Sequence, residues 1–531
     1  MSDLKKTGDV FTDNSFSKEK DMLDLLQGQL GFKNISLDKV LVDPRAIKLI
    51  PELIAVRYNL IPISINSDKI QVVMLDPLNI FALDDVKLTS GYNVEPFQGE
   101  LEDIKSGISR YYSGRQVTDA AEELSRENQI IEEDKTTGGK FENVKNAPVV
   151  KLVDSIIINA IKSRASDIHV EPFDKFVKIR YRIDGELSVV LKIAKQTLSA
   201  IVSRIKIMAN LNIAEKRLPQ DGRILTNIDD NEIDLRVSVM PTVYGEKVVI
   251  RILTKDAELI DKKKLGMVDK DLVKLNRIIS KPNGIILVTG PTGSGKSTTL
   301  YAVLNEMNTD EKNIITVEDP VEFLLEGVNQ INVNSKAGLS FAAALRSILR
   351  QDPDIIMIGE IRDNETAEIA VRSAITGHLV LSTIHTNDAP SAVVRLVDMG
   401  IEPYLIATSL VGVVAQRLVK KICPHCKAPY EADIYDKECL HEDPLKTLIL
   451  YKGSGCPSCD NSGYRGRVGV YEIMEMTREH RRYIVKNASS DELRDLSVKS
   501  GMRTLEMSCK ELVLQGMTTV DEIIKLSSFL D

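Results

Sequence analysis

The stretch GIILVTGPTGSGKSTTL, Gly284 to Leu300, decides the fold. It runs from an apolar strand through a glycine-rich turn into the start of a helix. Gly290 to Ser297 fits the pattern G-x-x-x-x-G-K-[ST] in full. The chemistry requires that order. Glycines let backbone N–H groups close around phosphate oxygens, and the helix N-terminus adds positive potential. Lys296 is placed to reach the β- and γ-phosphates, and the Ser297 hydroxyl to ligate magnesium. The candidate nucleotide-binding residues are Gly290, Thr292, Gly293, Ser294, Gly295, Lys296, Ser297 and Thr298. A chance glycine-rich turn is the competing reading, but the strand before and the helix after are what a phosphate loop needs.

Three more apolar runs follow at α/β spacing. NIITVEDPVEF (Asn313 to Phe323) ends its strand at Glu318-Asp319, and QDPDIIMIGEIRDNET (Gln351 to Thr366) ends at Gly359-Glu360. GHLVLSTIHTNDA (Gly377 to Ala389) ends near His385. In a parallel sheet with crossover helices, strand C-termini share one edge with the phosphate loop. Glu318, Glu360 and His385 are therefore expected to converge on the γ-phosphate. Glu360 is the candidate to orient or deprotonate the attacking water, against the bland alternative of a solvated charge at a strand end. An Asp that would help hold magnesium is replaced by Gly359. The metal is then expected to rest on Ser297, phosphate oxygens and water, with help from Glu318 or Asp319. His385 could sense the γ-phosphate, while His378 opens its strand; either could equally be a core histidine.

A chain of 531 residues is too long for one core and predicts several domains. Its net charge of −8 argues against a chain-wide basic footprint for nucleic acid or anionic membrane. The absence of Trp leaves little for stacking on single-stranded bases. No segment approaches ~18 consecutive apolar residues, so no transmembrane helix is expected. The best run, Tyr404 to Leu418, reads as a buried helix. The polar opening MSDLKKTGDVFTDNSFSKEKD lacks an apolar h-region, so a cytoplasmic location with reduced thiols is expected.

Composition divides the chain further. Residues 1–20 read as a disordered tail, 21–115 as a small α/β module for docking a partner, and 116–146 as a charged linker. Residues 147–253 form a second α/β module, with a hairpin turn at Asp184-Gly185. A connector over 254–270 leads to a larger α/β region, 271–531. The second module holds Arg204, Arg217, Arg223, Arg236 and Arg251. They are forked donors suited to phosphate or carboxylate; ion pairing with an acidic motor domain is the plain alternative. Cys423-Pro-His-Cys426 and Cys456-Pro-Ser-Cys459 make two C-x₂-C knuckles, a pattern for tetrahedral zinc. His425 and His441 are weaker candidate ligands, and Cys439 and Cys509 read as ordinary thiols.

The four stretches from Gly284 to Ala389, in their order, resemble the secretion ATPases of type II secretion and type IV pilus assembly (the GspE/PilB group). The resemblance covers roughly residues 31 to 531. It implies ATP as the nucleotide, a RecA-like P-loop motor domain, a PAS-like second module and a ring hexamer. It implies that a Gly-Glu strand ending is normal for a working ATPase. It favours Arg236 and Arg251 as arginines that reach the γ-phosphate when domains close, coupling hydrolysis to domain rotation. The tetracysteine insert, 423–459, marks the assembly and export members, which work with an inner-membrane platform protein. Many members carry N-terminal R-L-G-x-x-L repeats that bind cyclic di-GMP. This chain enters at DMLDLLQGQLGF without them, so the resemblance does not carry cyclic di-GMP binding over. Pilus assembly is the expected role, with type II secretion or DNA uptake as alternatives. A nucleic-acid motor and a nucleotide-binding regulator without turnover are the more distant readings.

Overall fold

The computed structural model describes residues 35, 37, 40, 42–112 (except 67, 106, 109 and 110), 147–228, 231–254, 262–459 and 461–528. The expected N-terminal tail and the 116–146 linker lie outside them. The chain divides into two units, the first made mainly of residues up to Arg251, the second mainly of residues from Ile252 on.

Within the first unit, PRAIKLIPELIAVRYN forms two short helices, α1 (Pro44–Leu49) and α2 (Glu52–Tyr58). The break falls at Pro51, which caps α2 and cannot continue the helix before it. Strands β1 (Leu60–Asn66) and β2 (Lys69–Met74) pair antiparallel, with Asn66 opposite Lys69. Helix α3 (Ile80–Ser90) carries the chain over to β3 (Asn93–Gln98), parallel to β2. Buried Ile47, Ile50, Ile61, Val72 and Ile104 fill this module's core.

The second module opens with α4 (Ala147–Lys162), followed by β4 (Asp167–Pro172), β5 (Phe176–Ile183) and β6 (Glu186–Ala194). Asp184 and Gly185 both adopt positive φ, 48° and 92°, as a two-residue hairpin turn of right-handed strand twist requires. Helix α5 (Leu198–Met208) precedes β7 (Gln220–Ile228), β8 (Asn231–Thr242) and β9 (Gly245–Thr254). The sheet order is β6-β5-β4-β9-β8-β7.

In the second unit, helix α6 (Asp269–Ile279) leads into β10 (Gly284–Thr289) and α7 (Lys296–Met307). Then come β11 (Ile314–Glu318), β12 (Asn329–Asn332), α8 (Phe341–Ile348), β13 (Ile355–Ile358), α9 (Asn364–Ile375) and β14 (Leu379–Ile384). Helices α10 (Ala389–Asp398) and α11 (Pro403–Ser409) precede β15 (Leu410–Ile422). Further on lie β16 (Lys427–Glu431), α12 (Ile434–Cys439), β17 (Ile449–Gly453) and β18 (Tyr464–Glu475). Helices α13 (Arg478–Val485), α14 (Ser490–Lys499), α15 (Leu505–Leu514) and α16 (Val520–Ser527) follow. The main sheet has the order β12-β11-β13-β14-β10-β15-β18. Its strands are parallel except β18, which runs antiparallel to β15. Strands β10, β13 and β14 are buried at every position, which is why they read as unbroken apolar runs.

One expectation is overturned here. Tyr404 to Leu418 is not a single buried helix; α11 ends at Ser409 and the chain continues as β15. The run LVGVVAQRLVKKI is rich in β-branched residues and hydrogen-bonds to β10 on one side and β18 on the other. Short apolar runs do not separate helix from strand by periodicity alone, and here pairing in the sheet decides.

Candidate functional site

The phosphate loop lies between β10 and α7. Gly290 holds φ 147°, and Gly295, the N-cap of α7, holds φ 86°. A Cβ on Gly290 would stand 2.4 Å from the Gln416 carbonyl oxygen, so only glycine fits against β15 there. Gly295 caps the helix without a side-chain hydrogen bond, which leaves the first-turn N–H groups of α7 for a ligand. Gln416 braces this helix by accepting from Thr299 Oγ1 at 2.7 Å. Thr289 Oγ1 ties the end of β10 to the Ile384 carbonyl, 3.0 Å away, at the end of β14.

Lys296 Nζ donates to the carbonyls of Gly290 and Pro291, each at 2.9 Å. Burial pulls its ammonium down to about 8, with the Glu360 charge opposing the shift and Arg417 adding to it. Ser297 stands exposed on the first turn of α7, where a hydroxyl can join a magnesium shell made mostly of phosphate and water. Thr292 and Gly293 are exposed on the loop, Ser294 is buried beneath it, and Thr298 is half-buried on the helix.

Glu360 follows β13 and is 16 % exposed. Arg362 Nη2 lies 2.5 Å from its Oε1, and His385 Nε2 lies 3.5 Å from its Oε2. Burial alone would raise this carboxyl, but Arg362 and His385 outweigh it and hold it below the usual carboxylate range. The result is an ionised acceptor on the same sheet edge as Lys296. Gly359 also has a structural reason. A Cβ there would meet the Glu318 Cα at 3.3 Å and the Val317 carbonyl at 3.4 Å, so the position is pressed against β11 and leaves an Asp little room.

Glu318 ends β11 on this edge but is 4 % exposed. Its carboxylate accepts from Tyr301 Oη, from Thr316 Oγ1 at 2.6 Å and from Gln330 Nε2 at 3.2 Å. Burial first, and then Glu318, push the Tyr301 phenol upward, so it remains a donor. This carboxylate thereby holds the phosphate-loop helix through Tyr301. Asp319 follows it in the chain. His378 lies at the opposite end of β14, its Nδ1 2.9 Å from the Ser373 carbonyl oxygen.

The two singled-out arginines belong to the sheet of the first unit. Arg236 is half-buried on β8, and Arg251 is exposed on β9. Arg251 Nε donates to Asp167 Oδ1 at 3.1 Å. Arg204 pairs with Asp154 at 3.6 Å and Arg217 with Glu215 at 2.9 Å. These partners are carboxylates of the same module rather than of the motor region.

Cys423, Cys426, Cys456 and Cys459 bring their sulfurs within 4.8 Å of one another. The Cys426 and Cys459 sulfurs are 3.8 Å apart. A tetrahedron with zinc–sulfur bonds of ~2.3 Å has edges of about 3.8 Å, so the thiol set fits zinc. Residues 427–455 between the knuckles form the β16–β17 hairpin with α12. His425 Nε2 lies 3.3 Å from Arg465 Nη1, and His441 Nε2 lies 3.6 Å from Glu506.

Sequence reasoning missed three residues of this neighbourhood. Arg362 sits two positions from Glu360 and was legible only as part of a charged loop. Gln416 and Arg417 are polar residues in the middle of a buried strand beside β10. Such a pair inside an apolar run was the available signal.

The chain matches the model of the family described as type II/IV secretion system protein over residues 142–525. The MshEN domain model matches residues 29–118, so the entry module is of a recognised domain type although it lacks the repeats sought in its sequence. The type IV pilus assembly ATPase PilB of Myxococcus xanthus is 45 % identical over 530 residues, 98 % of this chain and 92 % of that one. The type II secretion system ATPase E of Vibrio cholerae is 44 % identical over 443 residues, 83 % of this chain and 85 % of that one. Among solved structures, the Yersinia pseudotuberculosis ATPase DotB superposes with a TM-score of 0.54 at 20 % identity, covering 73 % of this chain and 95 % of that one, a likeness of fold.

Proposed function

This chain belongs to the type II/IV secretion system protein family and is an ATP hydrolase of it, and we propose that its hydrolysis drives assembly of type IV pili. The observation that carries the pilus reading is an end-to-end similarity. The pilus assembly ATPase aligns with 98 % of this chain, whereas the type II secretion ATPase, at nearly the same identity, aligns with 83 %.

In this reading Lys296 and the α7 N-terminus bind the β- and γ-phosphates of ATP. Ser297 would hold magnesium, which would neutralise charge on the phosphates when bound. Glu360 accepts a proton from, or orients, the attacking water, with His385 beside it. Glu318 keeps α7 in place through Tyr301. Arg236 and Arg251 complete the site when domains close in a hexameric ring. An arginine supplied on closure contributes ~10³–10⁵ in rate, which would tie turnover to rotation of the second module. Zinc on the four cysteines would staple the β16–β17 lobe. No helix among the described residues is long and apolar enough to cross a membrane. In this reading the motor works at the inner face of the cytoplasmic membrane through a platform protein.

The test is electron microscopy of the source cell after Glu360→Gln is placed in its chromosome. Bald cells support pilus assembly. Normal pili move the role to secretion or DNA uptake, and excess pili indicate retraction.

A further inference from the structure

Glu360 stands just past the paired part of its strand. The pairing of β13 with β14 ends at Ile358 beside Ser382, one residue short of Gly359. Beyond that point a single residue of β14 holds the chain on both sides of Glu360. Thr383 Oγ1 donates to the Gly359 carbonyl at 2.7 Å, and the Ile361 N–H donates to the Thr383 carbonyl at 3.0 Å. The first bond ties the peptide group before Glu360, the second the peptide group after it. From the other side, the Gly359 N–H donates to the Val317 carbonyl of β11 at 2.8 Å. Thr383 is 4 % exposed, so its hydroxyl makes this bond away from water, where a hydrogen bond is strong and its loss costly.

Peptide groups are planar, and two of them meet at each Cα. Holding both planes sets the direction in which the side chain leaves the backbone. Arg362 and His385 touch only the far end of the Glu360 side chain. We propose that Thr383 is a positioning residue for Glu360, clamping both flanking peptides so that the carboxylate starts from one place. Threonine suits the task because its carbonyl accepts one bond while its hydroxyl donates the other. Valine would keep the β-branched shape that a buried strand favours and lose the donor. Serine would keep the donor. A misplacement of about 1 Å can cost ~10²-fold in rate, so the clamp bears on turnover and not on nucleotide affinity. This inference rests on Glu360 serving the chemical step.

Steady-state phosphate release by full-length Thr383→Val and Thr383→Ser with Mg·ATP tests it, each made in the wild-type chain and in Glu360→Ala. In Thr383→Val, kcat is expected to fall about tenfold or more with KM within about threefold. Thr383→Ser should keep kcat within about threefold of wild type. In Glu360→Ala there is no carboxylate to place, so Thr383→Val should lower the residual rate by less than about threefold. A loss that came only from a weakened sheet would lower both backgrounds alike. An unchanged kcat in Thr383→Val overturns the proposal, and so does a rise in KM that accounts for the loss. Equal losses in the two backgrounds overturn it, as does a Thr383→Ser as slow as Thr383→Val. If Thr383→Val does not fold, Thr383→Ala takes its place in the same cycle. Failure of both to fold overturns the proposal, because Thr383 would then be part of the scaffold. Turnover near the wild-type rate by Glu360→Ala would instead overturn the underlying reading of the carboxylate, whatever Thr383 does.

Discussion

Arg362 Nη2 lies 2.5 Å from Glu360 Oε1, and this pairing keeps the carboxylate ionised despite its burial. Of the groups that pull Glu360 down, Arg362 pulls hardest, followed by His385. Removing Arg362 leaves burial as the dominant influence, and burial raises a carboxyl. A base works only when ionised, so the acid limb of the rate marks its titration. In Arg362→Ala that limb should move to higher pH, and activity near pH 5.5 should fall more than activity near pH 8. A pH–kcat profile checks this, and an acid limb that stays in place would detach Arg362 from the charge of Glu360.

The cysteine cluster makes a separate prediction. Thiolates at tetrahedral spacing bind zinc tightly, and losing one ligand weakens both metal and local fold. Cys423→Ser should bind less zinc by elemental analysis and expose the β16–β17 lobe to proteolysis. Nucleotide binding at the loop should survive. Equal zinc content in wild type and variant would reject the site.

Glu472 makes stability depend on pH. Burial pushes its carboxyl up to about 7, against hydrogen bonds from the Ala389 and Leu505 N–H groups, with Asp388 adding to the rise. A carboxyl raised on folding binds a proton more readily in the folded than in the unfolded chain. The stability that Glu472 contributes is therefore greatest below the ordinary carboxylate value and declines as pH rises through about 7. The full loss is on the order of 3 kcal/mol. Unfolding midpoints of Glu472→Gln, which cannot titrate there, should fall less between pH 5 and pH 8 than those of wild type. Parallel curves would mean that Glu472 does not carry the effect.

Much of this site was legible because its parts are local. Gly290 to Ser297 carries its glycines, lysine and serine in one loop. Strands β11, β13 and β14 announce themselves as apolar runs that stop at Glu318, Glu360 and His385, because strands buried on both faces leave no polar alternation. What was hidden depends on neighbours distant in sequence. Arg417 matters only because β15 pairs with β10, and Tyr404 to Leu418 reads as a helix until that pairing is known. Glu472 is meaningful only beside Asp388 and Arg494, brought together from α14 and the start of α10. Glu318 reads as catalytic from its strand end, whereas its burial and its bond to Tyr301 depend on how β11 meets α7.

The central claim is that Glu360 serves the chemical step and not nucleotide binding. Phosphate release and fluorescent ATP-analogue binding by purified Glu360→Gln, measured side by side, test it most directly. Turnover should fall at least ~10²-fold, the size of a general acid–base contribution, while affinity stays within about threefold of wild type. Turnover near the wild-type rate would contradict the assignment and return the carboxylate to a charge at the end of a strand.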